Sequence, residues 1–290
     1  MRTRIFKDLF QARQAAGLIA CVGLDPDPRK MPHHMRIHGD ESPATEHQIV
    51  QFLLDIVDAS HDIVGTYKPN DKFYLKYPGV ACKLIEYIKM VAPDVAIILD
   101  AKYADIGNTN AQAADFAYDY LGADAVTIHP PHGEMAMRPF LDREDKGVFV
   151  VCRTSNPGAD EFQLLTIKES NLPLYLHIAQ RVSGWWNTKG NCGIVVGGTC
   201  PTQEIQRARE VLGDHMPILM PGFGSQGGQL MQSLGAGFDM NGGNVLPVNA
   251  SAIIHATQGT DYAQAARRAL QQFNRDIFDA REFHRAQTGG

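Results

Sequence analysis

The chain of 290 residues is 44% hydrophobic and 20% charged, with a formal net charge of −5. That length and apolar content suffice for one large core or for two domains, while the mild negative charge and the want of any long basic run exclude a nucleic-acid footprint or an anionic membrane surface. A small-molecule substrate is the default, and no apolar run approaches the length of a membrane span.

The segment Met1–Asp8 lacks the apolar stretch of a signal peptide, so a cytoplasmic location is expected. A first apolar strand, Leu18–Leu24, ends in Asp25, and a long connection over about 26–45 follows it before a helix at Glu46–Ala59. Its histidines His33, His34 and His38, with His47, read as solvated side chains rather than ligands. Next come a strand Ile63–Tyr67 ending in Lys68, a helix Val80–Val91, a strand Val95–Leu99 ending in Asp100 and Lys102, and a helix Thr109–Leu121. The strand Ala125–Ile128 ends in His129, a helix is expected over 132–141, and the strand Gly147–Cys152 runs into Arg153–Asn156. A second long connection, about 153–172, precedes a helix Leu174–Trp186, in which the tryptophans read as packing residues. The strand Gly193–Val196 ends in Gly197–Thr199, and then a helix Pro201–Leu212, a strand Ile218–Met220, a helix Gln226–Leu234, a strand Val245–Val248 and a helix Asp261–Phe273 complete the series.

Strands alternating with helices in this number predict a single (β/α)8 TIM barrel over 1–290, with an open doubly wound sheet as the alternative. In a barrel the strands' C-terminal ends carry the chemistry, and here the ends of the first six, from Asp25 to Gly197–Thr199, are unusually polar. Long connections at that face read as lids or binding loops. The five cysteines, Cys21, Cys82, Cys152, Cys192 and Cys200, are odd in number and include no CxxC, which predicts reduced thiols and no structural metal.

The most telling segment is Ile97-Ile98-Leu99-Asp100-Ala101-Lys102-Tyr103-Ala104-Asp105. Side chains two apart on a strand share a face, so Asp100 and Lys102 are expected to point together at the strand's buried end. Two opposite charges there must pair or do work, since an isolated charge out of water costs several kcal/mol, roughly. A structural ion pair is one reading and proton chemistry the other; Asp105, similarly, reads as a helix N-cap or as a site residue. After the seventh strand, Pro221-Gly222-Phe223-Gly224-Ser225-Gln226-Gly227-Gly228 forms a glycine-rich turn entering a helix, which suits a phosphate, with a plain tight turn without ligand as the alternative. Its literal match to GxGxxG is no dinucleotide fingerprint, because too little chain follows to build that domain.

Taken together, Asp100-x-Lys102-x-x-Asp105-Ile106-x-x-Thr109, Lys68-Pro69-Asn70, Arg153-Thr154-Ser155-Asn156-Pro157-Gly158 and the Pro221 turn closely resemble the orotidine 5′-phosphate decarboxylase family in its longer bacterial subtype. The resemblance spans nearly the whole chain in order and spacing. It implies a homodimer of barrels that converts orotidine monophosphate to uridine monophosphate and carbon dioxide, the last step of de novo pyrimidine synthesis, with no cofactor and no metal. By resemblance, Asp25 and Lys68 contact ribose hydroxyls, Asp100 sits beside the reacting group, and Lys102 donates a proton to C6. Asp105 and Thr109 match positions that reach the neighbouring subunit's site, Ser155 the pyrimidine-reading residue, and Gln226 with Gly227 the link between base and phosphate.

One departure stands out. The family normally carries an Arg that grips the phosphate just after the eighth strand, and Asn249-Ala250-Ser251 is here followed by Ala252-Ile253-Ile254-His255. Asn249, Ser251, His255 and Arg267 are the candidate substitutes. Two rival functions remain. A metal-dependent decarboxylase or aldolase acting on keto-sugar phosphates would need an acidic ligand where Lys68 stands, and a non-catalytic nucleotide-binding barrel would have no use for Asp100 and Lys102 together.

Overall fold

The computed structural model describes residues 4–36, 44–224 and 227–288. Among these residues, eight parallel strands close into a barrel in which each strand is joined to the next by a segment containing helix: β1 (Cys21–Leu24), β2 (Thr66–Pro69), β3 (Ala96–Tyr103), β4 (Ala125–Ile128), β5 (Gly147–Arg153), β8 (Cys192–Val196), β9 (Ile218–Pro221) and β10 (Val245–Asn249). The remaining pair, β6 (Thr166–Ile167) and β7 (Leu172–Pro173), is a small antiparallel hairpin within the connection after β5. The expected (β/α)8 barrel is the observed fold.

The strands are apolar on both faces because each face is covered. Inward positions such as Cys21, Ala96, Ile98, Ala125, Phe149, Val195, Leu219 and Leu246 fill the barrel, while alternate residues such as Val22, Ile97, Val126 and Ile194 pack against the helices. The barrel's foot is stoppered by α1 (Phe6–Ala15), a helix the sequence pattern did not reveal: Phe6 stacks on Phe10 and meets Phe149 edge-on at 5.7 Å. Gly147 makes room for that plug, since a Cβ there would come within 2.4 Å of the Phe6 ring.

Helix α2 (Glu46–Ser60) starts where a capping box satisfies its first N–H groups, Thr45 N donating to Gln48 Oε1 at 2.8 Å and Gln48 N to Thr45 Oγ1 at 3.3 Å. His47 is on its exposed first turn, not in the preceding loop. The helices expected after β3 and β7 each begin as α-helix, α4 (Gly107–Ala114) and α7 (Leu174–Arg181), and finish in a π-helical turn. Trp185, in the second of these turns, is half exposed with Arg181 over its ring at 5.0 Å, so it is not core filling. The last helix, α11 (Tyr262–Thr288), runs far beyond Phe273 because Ile277 and Ala280 continue its buried stripe. All five cysteines are free thiols.

Candidate active site

Strand alternation delivers the site. Following the inward-facing Cys21, Thr66, Ile98 and Ala125 up their strands by steps of two leads to Asp25, Lys68, Asp100 and Thr127. Lys68, Asp100, Lys102 and Thr127 line one wall of a cavity of about 300 Å³, and Thr154–Asn156, Gly197, Pro221 and Gly222 line the other. A larger groove of about 920 Å³ lies among the outer helices α8 (Thr202–Leu212), α9 (Gly227–Gly237) and α11, away from the strand ends, so volume alone does not mark the site.

Asp100 is the hub. Its Oδ2 accepts from Lys68 Nζ at 2.7 Å, and its Oδ1 accepts from Lys102 Nζ and, at 3.0 Å, from the Thr127 hydroxyl. Burial alone would raise the Asp100 pKa, but the ammoniums of Lys68 and Lys102 outweigh it and hold the carboxyl well below the usual carboxylate range. Burial likewise works against the charge on Lys68, and the carboxylates of Asp100 and Asp25 reverse that, raising its pKa above the ordinary lysine value. Asp25, at 4.0 Å from Lys68, has its pKa raised by burial, and its Oδ1 is buried without a hydrogen-bond partner among the described residues. Lys68 and Asp100 are buried, whereas the Lys102 side chain is 40% exposed.

Asp100 and Lys102 do pair, but not because they are alternate residues of a regular strand. The β3–β4 ladder is irregular between Leu99 and Tyr103, and Lys102 has φ +52°, the left-handed region. For a residue with a side chain that conformation costs about 1–3 kcal/mol and persists only where its surroundings impose it. Here Lys102 N donates to Thr127 Oγ1 at 2.9 Å. Thr127 escaped the sequence reading, although a hydroxyl two residues before His129 inside an apolar strand was the available signal.

Asp105 and Thr109 are exposed, outside the cavity. Asp105 is no helix N-cap: its carboxylate accepts from Ile106 N at 2.7 Å, and α4 begins at Gly107 without a side-chain cap. Ser155 lies on the far wall, on a loop held from beneath by buried Arg153, which donates to Glu204 and Asp160, each at 2.6 Å. Gln163 adds a bond from Thr154 N at 2.8 Å. His129 is half-buried, and burial with the nearby Lys102 charge lowers its pKa. Gln226 lies outside the described residues; Gly227 opens α9.

At the phosphate end Gly222 adopts φ +113°, which turns the chain, while Phe223 N and Gly224 N are already bonded to Val248 O and Gly222 O. Two candidate stand-ins for arginine fall away. His255 accepts from Asp27 N at 3.0 Å and burial lowers its pKa to about 4, so its ring is neutral; Arg267 is held by Asp62 at 2.6 and 2.8 Å on α11. Asn249 is buried and Ser251 exposed.

Residues 20–269 match the model of the orotidine 5′-phosphate decarboxylase / HUMPS family. The orotidine 5′-phosphate decarboxylase of Delftia acidovorans is 42% identical over 266 residues, covering 90% of this chain and 92% of its own. That of Azoarcus sp. is 40% identical over 271 residues, covering 93% and 96%. The solved structure of Leishmania donovani OMP decarboxylase is similar with a TM-score of 0.78 at 30% identity, over 94% of this chain and 99% of that one.

Proposed function

The chain belongs to the orotidine 5′-phosphate decarboxylase family and is a carboxy-lyase, and from that premise we propose that it converts orotidine 5′-phosphate to uridine 5′-phosphate and carbon dioxide, closing de novo pyrimidine synthesis in the cytoplasm. The observation that carries this reading is the Asp100 carboxylate clasped between Lys68 and Lys102 at the base of the cavity.

Breaking the C6–carboxylate bond leaves an electron pair in the plane of the pyrimidine ring, where the π system cannot take it up. Stabilisation must then come from a cation fixed beside C6 before reaction, which is what Lys102 on Asp100 offers. Carbon dioxide departs, the pair stays on C6, and a proton from Lys102 Nζ forms the C6–H bond; solvent restores the ammonium. The negative Asp100 beside the substrate carboxylate adds repulsion that is relieved as carbon dioxide leaves. Asp25, whose buried Oδ1 lacks a donor, suits a ribose hydroxyl together with Lys68. Ser155 on the opposite wall suits the pyrimidine edge, and the glycine turn with Gln226 and the start of α9 at Gly227 suits the phosphate.

A homodimer completes the reading. Lys102 is half exposed in the single chain, yet a preorganised ammonium works best away from water. Asp105 and Thr109 stand exposed beside Ile106, with Met135 exposed on the adjoining α5 (Gly133–Leu141), which Asn110 ties to α4 through Ala136 O at 2.7 Å. A second copy laid on that flank would cover apolar surface and bring Asp105 and Thr109 to its partner's site. The free thiols suit a reducing compartment. Lys68, a buried cation at the end of β2, opposes a metal there and disfavours the sugar-phosphate reading.

Mixing the purified protein with orotidine monophosphate tests the proposal: the orotate-ring absorbance should fall with stoichiometric release of uridine monophosphate and carbon dioxide. Bound but unchanged orotidine monophosphate would identify a nucleotide-binding barrel instead, and activity abolished by EDTA would favour the metal-dependent class.

A further inference from the structure

Lys102 occupies a backbone conformation that a lysine does not choose, and the group that imposes it comes from the neighbouring strand. Leu99 pairs with Val126 and Tyr103 with Ile128, so residues 100–102 of β3 stand opposite Thr127 alone. The surplus of β3 interrupts the ladder, and within that irregularity the N–H of Lys102 is bonded to a side chain instead of a strand carbonyl. Thr127 Oγ1 takes it at 2.9 Å and in turn donates to Asp100 Oδ1 at 3.0 Å. One hydroxyl thus uses its single proton on the carboxylate and a lone pair on the lysine backbone, and at 1% exposure Thr127 has no solvent to replace either bond.

We propose that Thr127 is a positioning residue for the reaction: its hydroxyl fixes the left-handed backbone of Lys102 and the orientation of the Asp100 carboxylate, so that Lys102 Nζ lies on Oδ1 while Lys68 keeps Oδ2. This rests on the decarboxylase reading above for the chemistry it serves, though not for the geometry. The same strand is tied in a like manner at its other end, where Ile97 N donates to Asp124 Oδ2 at 2.9 Å; that carboxylate is occupied by Arg4 and lies among the packing of the foot. Side-chain acceptors from the β4 side therefore hold both ends of β3, and the upper one also grips the reacting charges.

Thr127→Val keeps the shape and removes both bonds; Thr127→Ser keeps the hydroxyl. The expected result is a fall in kcat on the order of tenfold to a hundredfold for Thr127→Val, with KM and uridine monophosphate affinity within about twofold of wild type, and recovery of most of kcat in Thr127→Ser. An unchanged kcat in Thr127→Val, or an equal loss in Thr127→Ser, overturns the proposal. A crystal structure of Thr127→Val decides the geometry without any turnover: Lys102 should leave the left-handed region, and Lys102 retained there with Nζ still on Asp100 would overturn it. Should the valine variant not fold, the same two readouts on Thr127→Cys, which loses the γ-methyl and puts a weaker donor and acceptor in place of the hydroxyl, carry the test, with Thr127→Ser as the control for the missing methyl. Failure of the wild-type protein to decarboxylate orotidine monophosphate would count against the reaction, while the crystallographic comparison would still judge Thr127.

Discussion

The foot and the mouth of the barrel are built from the same strands and treat charge in opposite ways. At the foot, Asp124 is fully occupied: Arg4 meets it at 2.6 and 2.9 Å, Ile97 N donates to it, and Phe6, Phe10 and Phe149 pack above. At the mouth, Asp100 is equally occupied, but its cationic partner Lys102 is half exposed and Asp25 keeps a buried oxygen without a donor. The Asp124 carboxylate at the foot has its donors within the chain, so its charge serves stability. The mouth holds back hydrogen-bonding capacity, which is what a site awaiting substrate requires.

The sharpest break between the two ends should come from Lys102→Ala. Turnover of orotidine monophosphate is expected to fall by about a thousandfold or more, because both the fixed cation and the proton source are lost, while uridine monophosphate still binds. Steady-state kinetics with product titration checks this; substantial residual kcat would remove Lys102 from its role. The converse change, Asp124→Asn, should cost about 2–3 kcal/mol of unfolding free energy in urea and leave kcat nearly unaltered, since it strands Arg4 beside a neutral group far from the cavity. Comparable damage to kcat would mean that the foot is not separate from the mouth.

How much of this was legible in the sequence follows the same division. The barrel's strands were readable because each is a short apolar run closed by a polar residue or by glycine or proline, and Lys68 and Asp100 fell where regular alternation put them. Helix α1 was not, since of its ten residues only Phe6 and Phe10 are buried, with Leu9 partly so, and no sustained apolar stripe marks it. The Thr127 hydroxyl inside an apolar strand is visible in the sequence, but its role depends on a bulge in the adjacent strand that the sequence does not announce. The placement of Lys102 against Asp100 came out as expected for a different reason, a left-handed backbone rather than a shared strand face. Asp105 and Thr109 are exposed in the single chain, and their proposed role belongs to an assembly that one chain cannot display.

Acid should reveal a third region, the start of the first long connection, where neutral His255 accepts from Asp27 N and stacks on Phe52 at 5.4 Å. Its folded pKa, lowered by burial to about 4, lies below the ordinary value of 6.5, so the unfolded chain binds the proton more readily. The resulting stability is complete above about pH 6.5 and is lost as pH falls toward 4, by about 2–3 kcal/mol. The Asp100 contribution has a separate window: its lowered pKa gives stability present above the unfolded carboxylate value of 3.8 and lost only below it. Urea midpoints at pH 7 and 4.5 should therefore diverge in the wild type and draw closer in His255→Gln, with His129, whose pKa is also lowered, leaving a residual difference. A wild-type midpoint flat across that range would show that the ring is already charged in the folded state.

The smallest effect concerns the phosphate end, where the mouth lacks what it has in abundance on its other side. Lys68 and Lys102 are anchored cations, but neither His255 nor Arg267 offers a free charge to a phosphate, and the first N–H groups of the Gly222 turn are already bonded. On the proposed reading a phosphate there would meet the turn's backbone dipoles and the neutral Asn249 and Ser251, which hold a dianion less strongly than a bidentate guanidinium. Ala252 is exposed on α10 (Ser251–Ile254), directly after β10. Ala252→Arg should tighten uridine monophosphate binding by about tenfold, equivalent to about 1.4 kcal/mol, and leave uridine unaffected, because only the nucleotide carries the charge. Titration of both ligands at two salt concentrations separates the cases: a gain confined to the nucleotide and diminished by salt places the weakness at the phosphate, whereas no gain means that the backbone turn already supplies the full grip.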